Sequence, residues 1–364
     1  MSHTPELSEA RRALLEKYLR GDIPQDARAG GVAAQQAKTE VADPRARVVG
    51  VQVEGTKQPF FFLHGNWKGT TSFCSSLAHE LGSDQPFYAL EAYRFDGLAV
   101  PPTVEAMAAA HIRSMRAVQP GGPYLLGGWC NGGLVAYEMA RQLHAVGQMV
   151  DLLVLMDPMY LGYRTRRKCI RGILSRLGDL MGLDPEQQLD WFLRLLYVCK
   201  PLHPMMHALL HVYRSLRNAR YESSQGVVRL IINDVFGFAR QNVMVSIKRF
   251  TSMFEHKRVA APRLDSLVPI AGVLRQDYLG IFEWIDMGYK PADLYSGKIT
   301  FLWPANEPWH TVSGGWRKVA EAKEAQDVEV YVISGNQDTW RTEHLHALGE
   351  RLRMGLSKAQ KDMI

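Results

Sequence analysis

The sequence predicts an α/β protein built on a mostly parallel, doubly wound sheet with a large helical insertion. Short apolar runs of strand length alternate with runs of 3.6-residue period from Val48 to Asp157, and resume at Lys298. Such β-α-β alternation, with wholly apolar strands, means parallel pairing under helices on both faces. One of these runs, Tyr124-Leu125-Leu126-Gly127-Gly128-Trp129, stops at Cys130 and continues as the helical run Leu134-Val135-Ala136-Tyr137-Glu138-Met139-Ala140. Glycines two residues either side of the cysteine mark a strand turning sharply into a helix with a nucleophile at the apex. Between residues 159 and 296 the alternation lapses into a mostly helical period rich in Leu, Met, Arg and His, expected to form a lid over the sheet's C-terminal edge. Three parts are therefore expected: an N-terminal helix and linker over 1–47, a core of 48–158 with 297–364, and the lid over 159–296.

In order, Leu7 to Leu19 places Leu7, Ala10, Leu14, Leu15, Tyr18 and Leu19 on one helical face, followed by a Gly/Ala/Gln-rich stretch through Asp43-Pro44. Strands follow at Val48 to Val53 and Pro59 to Leu63, the second all apolar and ending in the loop His64-Gly65-Asn66-Trp67-Lys68-Gly69. A helix spans Ser72 to Leu81, a strand Pro86 to Leu90, and a helix Val104 to Val118. After the elbow helix comes the strand Val150 to Met156, closed by Asp157-Pro158. Beyond the insertion lie strands at Lys298 to Trp303 and Val328 to Ile333, the loop Ser334-Gly335-Asn336-Gln337-Asp338-Thr339, and a last helix from Glu343 to Arg353.

Composition places few limits on function but useful ones. The 364 residues are 46% hydrophobic and 22% charged, the balance of an ordinary globular chain. No run of eighteen apolar residues occurs and the first residues lack an apolar signal core, so no membrane span and a cytoplasmic location are expected. The four cysteines, at 74, 130, 169 and 199, show neither paired nor metal-ligand spacing. The net charge of +6 is concentrated in residues 159–297, which hold 20 Lys and Arg against 12 Asp and Glu. That surplus fits either solvated helix faces or a surface for an acidic partner; without a recognised motif it does not indicate nucleic acid.

Several residues are candidates for chemistry. Cys130 is the expected nucleophile, and the helix starting beside it directs free N–H groups and the positive dipole end at the sulfur, which favours thiolate. By position, the backbone amides of Asn66 and Asn131 are the expected oxyanion donors. His64, opening the Asn66 loop, reads as a residue that fixes the loop by hydrogen bonds. Asp157 is either a turn residue before Pro158 or the acid of a triad, its place after the elbow helix favouring the second; Glu307 is the rival acid. His203, His207 and His211 form an i, i+4, i+8 stripe with no further ligand placed to complete a metal shell. The cluster Arg164-Thr165-Arg166-Arg167-Lys168 is equally a solvated basic turn or a hold for an acidic group or a phosphate.

Taken together, Gly122-Pro123-Tyr124-Leu125-Leu126-Gly127-Gly128-Trp129-Cys130-Asn131-Gly132-Gly133, Leu155-Met156-Asp157 and Gly335-Asn336-x-x-Thr339 with His344-Leu345 resemble the α/β-hydrolase thioesterase domains that release products from nonribosomal peptide and polyketide synthases. The resemblance covers residues 48–158 and 297–353 and extends to the lid only in character. It implies the α/β-hydrolase fold and a nucleophile, Asp, His order whose first two places fall on Cys130 and Asp157. It also implies an acyl or peptidyl carrier protein as partner, with the substrate on a phosphopantetheine arm and no other cofactor, and release by hydrolysis or ring closure, the latter associated with cysteine variants. The third place departs from the pattern. The usual Gly-x-His reads Gly335-Asn336-Gln337, and an amide does not accept a proton. Three accounts stand: His344 supplies the base, Cys130 is acidic enough to attack without one, or acyl transfer is lost and the chain binds a carrier or product without turnover, Gln337 being native or an introduced substitution.

Overall fold

The computed structural model describes residues 43–67, 72–159, 165–199, 274–305, 316, 319 and 328–361. The expected N-terminal helix, the His203/His207/His211 stripe, Glu307 and Arg164 lie outside the described residues. Contact clustering divides the chain into two compact units, one running to Arg171 and resuming at Ile285, the other spanning Gly172–Trp284.

The first unit holds seven strands in the order β1-β3-β2-β4-β5-β6-β7: β1 Val48–Gln52, β2 Phe60–Leu63, β3 Phe87–Leu90, β4 Tyr124–Trp129, β5 Val150–Met156, β6 Ile299–Pro304 and β7 Val328–Ile333. From β3 to β7 every pairing is parallel, and β1 alone runs antiparallel, against β3. This is the expected α/β-hydrolase arrangement. Strands β2, β4 and β6 are buried at every residue, as strands covered on both faces must be.

Side chains alternate between the two faces. Phe60, Phe62, Leu125, Leu152, Val154 and Met156 join one core with Leu77 and Leu81 of α1 (Ser72–Leu81) and Leu348, Leu352 and Leu356 of the last helix. Their neighbours Phe61, Leu126, Leu153 and Leu155 are as deeply buried and point to the other face, where α2 (Val104–Arg116) packs against α3 (Asn131–Ala145). Thr103 caps α2, its hydroxyl accepting the Ala106 N–H at 3.2 Å, with Glu105 in the first turn and Arg113 and Arg116 in the last to suit the dipole. The interval expected to be helical carries α4 Thr165–Leu180, α5 Pro185–Cys199 and α6 Tyr278–Gly288. Arg166 and Arg167, described only by their backbone, therefore lie in a helix rather than in the basic turn expected. The last helix, α7 Leu345–Lys361, runs eight residues beyond the expected end at Arg353.

A buried ion pair anchors α3. Glu138, fully buried, receives Arg141 Nε and Nη2 at 2.7 Å each, Tyr289 Oη at 2.7 Å and Gln142 Nε2 at 2.9 Å. All four donors converge on one carboxylate that water does not reach, so removing it strands the Arg141 guanidinium. Glu138→Ala is expected to cost about 3–5 kcal/mol, the usual loss when one partner of a buried pair is deleted; a urea midpoint within experimental error of the wild type would contradict this.

Candidate active site

The elbow is built by close backbone approach. A Cβ on Gly128 would stand 2.5 Å from the Gly132 carbonyl oxygen, and one on Gly132 would stand 2.5 Å from the Leu63 carbonyl oxygen, so side chains at either place would force β4, β2 and α3 apart. Between them Cys130 takes φ 53° and ψ −120°, a conformation that costs on the order of 1–3 kcal/mol for a residue other than glycine. Three hydrogen bonds hold it there: Cys130 N–H donates to Met156 O at 3.0 Å, while its carbonyl accepts from Gly133 N at 3.1 Å and Met159 N at 2.8 Å. Asp157 also has positive φ, 38°, and its N–H donates to Leu302 O at 2.9 Å.

These bonds explain why Cys130 and Asp157 are neighbours. Trp129 pairs with Met156, and Met156 with Leu302. The amides of Cys130 and Asp157 thus continue the parallel ladder one step past the strand ends, and both side chains emerge at the C-terminal edge of adjacent strands.

The third member comes from the loop after β7. Asn336 folds the loop on itself, its Oδ1 accepting the N–H groups of Asp338 at 2.9 Å and Thr339 at 3.1 Å, its own N–H donating to Thr339 Oγ1 at 2.9 Å. Trp340, fully buried, donates from Nε1 to Ser334 O at 2.8 Å. This brace sends the Gln337 side chain across the end of β6, where Nε2 donates to Asp157 Oδ2 at 2.5 Å beside Cys130. Cys130, Gln337 and Asp157 are therefore brought close together, the amide bound to the acid and both acting on the sulfur electrostatically.

The sulfur is less acidic than the helix terminus alone implies. Burial raises the Cys130 thiol, and Asp157 adds to that; the Asn131 N–H, Gln337 and the positive charge of Arg341 pull the other way without overcoming it. The expectation of an acidified thiolate is corrected on this ground: desolvation, which a sequence does not display, outweighs the helix end. No side chain caps α3, so the Asn131 amide stays aimed at the reacting position. Arg341, whose guanidinium carbon lies 5.0 Å from the Trp129 ring centroid, was not singled out in the sequence; its only signal there is its place in the loop that carries Gln337.

The other expected residues fall as follows. The Asn66 N–H is not directed at an oxyanion: it donates to His64 Nδ1 at 3.1 Å. Of the two amides expected to form the hole, that of Asn131 lies against the Cys130 sulfur and that of Asn66 is held by the histidine. His64 is thus the loop fastener expected, a proton acceptor at Nδ1 whose pKa is lowered chiefly by burial. The His344 ring lies against Gly335, where a Cβ would meet its Cδ2 at 2.2 Å, and the residue starts α7 with its N–H on Thr339 O at 2.9 Å and its carbonyl accepting Leu348 N at 3.0 Å. Those contacts place it in the brace behind Gln337. No group of three metal-ligating side chains occurs among the described residues, and no described helix is long and apolar enough to cross a membrane.

Residues 59–170 match the family model described as the thioesterase domain. Over 109 residues the chain is 40% identical to a dimodular nonribosomal peptide synthase of Bacillus subtilis (strain 168), a match covering 29% of this chain and 4% of that protein. Over 158 residues it is 29% identical to a Paxillus involutus protein named inactive atromentin synthetase invA3, covering 43% of this chain and 16% of the relative. Among solved structures, the NocB thioesterase domain in covalent complex with a fluorophosphonate nocardicin G analogue aligns with a TM-score of 0.48 at 19% identity, over 85% of this chain and 99% of that one. The chain spans 4% and 16% of the length of these two curated relatives.

Two outcomes test the electrostatics. Because the thiol is raised, only a small share is thiolate at pH 7, and that share grows about tenfold per pH unit until the pKa is passed. Iodoacetamide labelling of the Cys130 peptide is expected to climb with that slope from pH 7 to 9, and a rate already flat at pH 7 would mean an acidic thiol. Gln337→Leu, which removes a donor to the sulfur, should slow labelling at fixed pH by roughly tenfold, the value of one hydrogen bond to a charged group; equal rates would show that the amide does not touch it.

Proposed function

We propose that this chain, whose residues 59–170 carry a thioesterase domain of the nonribosomal peptide synthetase type, takes an acyl or peptidyl group from a carrier-bound thioester onto Cys130 and releases it by cyclisation or hydrolysis. The observation that carries this reading is Cys130 at the apex of a strained elbow, at the start of the helix opened by Asn131, with Gln337 bound to Asp157 beside it.

In the first step the Cys130 sulfur attacks the thioester carbonyl, the Asn131 N–H receives the developing oxyanion, and the pantetheine sulfur leaves with the proton that Cys130 gives up. Thioester replaces thioester, so the exchange is nearly balanced in energy and places little demand on a base. The partner is an acyl or peptidyl carrier protein, the phosphopantetheine arm belonging to that partner. Opening of the His64–Asn66 contact would return the second amide to the oxyanion, donors of this kind being worth about 10²–10³ in rate each. Cysteine rather than serine at position 130 also leaves the acyl-enzyme at the thioester level, where attack by an internal nucleophile keeps more driving force than from an oxoester.

A second reading, binding of a carrier or product without turnover, is favoured by the same Gln337 and by the raised Cys130 thiol. One experiment separates them. Incubated with a hexanoyl N-acetylcysteamine thioester at pH 8, the full chain is expected to gain one hexanoyl group by intact mass, and Cys130→Ala none. No adduct on the wild type, with binding of a carrier protein retained, would favour the second reading.

A further inference from the structure

Arg341 ends the short turn Thr339–Arg341, in the loop that carries Gln337, and is exposed. Its guanidinium carbon lies 5.0 Å from the centroid of the Trp129 ring, the residue that immediately precedes Cys130. Both ends of this contact are fixed. Trp129 is buried, with Phe73 edge-on at 4.3 Å and Trp340 tilted at 6.2 Å, and the Arg341 backbone N–H donates to Asp338 O at 3.2 Å. A guanidinium laid over an indole uses its face and keeps the N–H donors of its edge, the fork that matches a carboxylate. Resting on the Cys130 acyl-enzyme proposed above, we infer that Arg341 is a specificity-determining residue, and that the acyl group this site takes carries a carboxylate a short chain away from its thioester carbonyl.

Electrostatics supports this placement. Burial is the largest influence on the Cys130 thiol, which it raises, and on the His64 imidazole, which it lowers; the Arg341 charge lowers the pKa of both. The guanidinium is thus felt at the nucleophile and at the residue that holds the Asn66 loop, both of which border the position proposed for the thioester carbonyl. That nearness decides which anion fits. The phosphate of a pantetheine arm is at the far end of the arm from its sulfur, so with the sulfur at Cys130 the phosphate stands well away from Arg341. A carboxylate on the acyl chain stays close, because the chain begins at the carbonyl that Cys130 attacks. Stacking on Trp129 also reduces the entropy lost when the arginine is ordered on a ligand, which leaves more of the attraction for binding. An arginine acting only on the sulfur would speed every acyl donor alike, whereas one that binds the acyl group separates donors by charge.

The test compares adipyl and hexanoyl N-acetylcysteamine thioesters, which share one carbon chain and differ in the terminal carboxylate. With each, a bond forms from the Cys130 sulfur to the carbonyl carbon, the old C–S bond breaks, and N-acetylcysteamine leaves with the proton from the cysteine. Loading of the full wild-type chain is followed by intact mass at low ionic strength. Adipyl is expected to load at least about tenfold faster, the value of one hydrogen bond to a charged group. That preference should shrink in about 1 M NaCl, where charges are screened beyond ~3 Å. Arg341→Gln, checked for an unchanged melting temperature, is expected to bring the ratio of the two rates close to unity, whatever it does to each rate. Equal loading of both thioesters by the wild type, or an adipyl preference that survives Arg341→Gln, would overturn the inference and leave the acyl-enzyme standing. If neither thioester loads, the acyl-enzyme itself is lost and the inference with it. Should the variant not fold, the wild-type ratio and its loss in salt decide the question.

Discussion

Two backbone hydrogen bonds carry the architecture of the site: Cys130 N–H to Met156 O and Asp157 N–H to Leu302 O. Each lies one step beyond the last regular pairing of its strand, and each residue departs from the strand with positive φ. The sheet therefore does more than support the site. Its register sets the spacing between nucleophile and acid, and the strain at both residues is held by a ladder whose strands are buried throughout, β4 at every residue and β5 from Leu152 on. Stability elsewhere, such as the Glu138 cluster anchoring α3, is what allows two residues to remain in sparsely populated conformations.

Electrostatics at the sulfur is a competition rather than a single effect. A helix end with no side-chain cap, an amide from each side and a nearby guanidinium all favour the anion, yet burial outweighs them. The result is a site that surrounds the sulfur with groups favouring the anion yet leaves the thiol raised at rest. Donors matched to a charge that appears only along the reaction are worth most when the site is dry.

Much of this was legible in the sequence, for a physical reason. Parallel strands covered on both faces are unbroken apolar runs, so β2, β4, β5, β6 and β7 were read to within a residue, and the elbow glycines announced the close approach of β4, α3 and β2. Cys130 and Asp157 were legible as well, because each sits immediately after a strand, and Gln337 because it lies in the loop after β7. Other features arise only from packing. The antiparallel entry of β1 leaves no mark in its composition, and α7 continues past the expected end at Arg353, its buried stripe going on to Leu356 and Ala359. The capture of the Asn66 N–H by His64, the stacking of Arg341 over Trp129 and the upward shift of the Cys130 thiol depend on distances across separate elements, which no local pattern reports.

The loop after β7 bears on whether Gln337 is a remnant or a working part. If the relay position had merely lost its role, nothing would tie the loop to the core, and its residues would be free to pack in any way that buried Trp340. Instead Asn336 and Thr339 interlock through both side chains, Trp340 binds back to Ser334, and His344 closes against Gly335, so that the Gln337 amide is held against Asp157. Glutamine there donates to the acid as a protonated imidazole would, and differs from it in never releasing or accepting a proton.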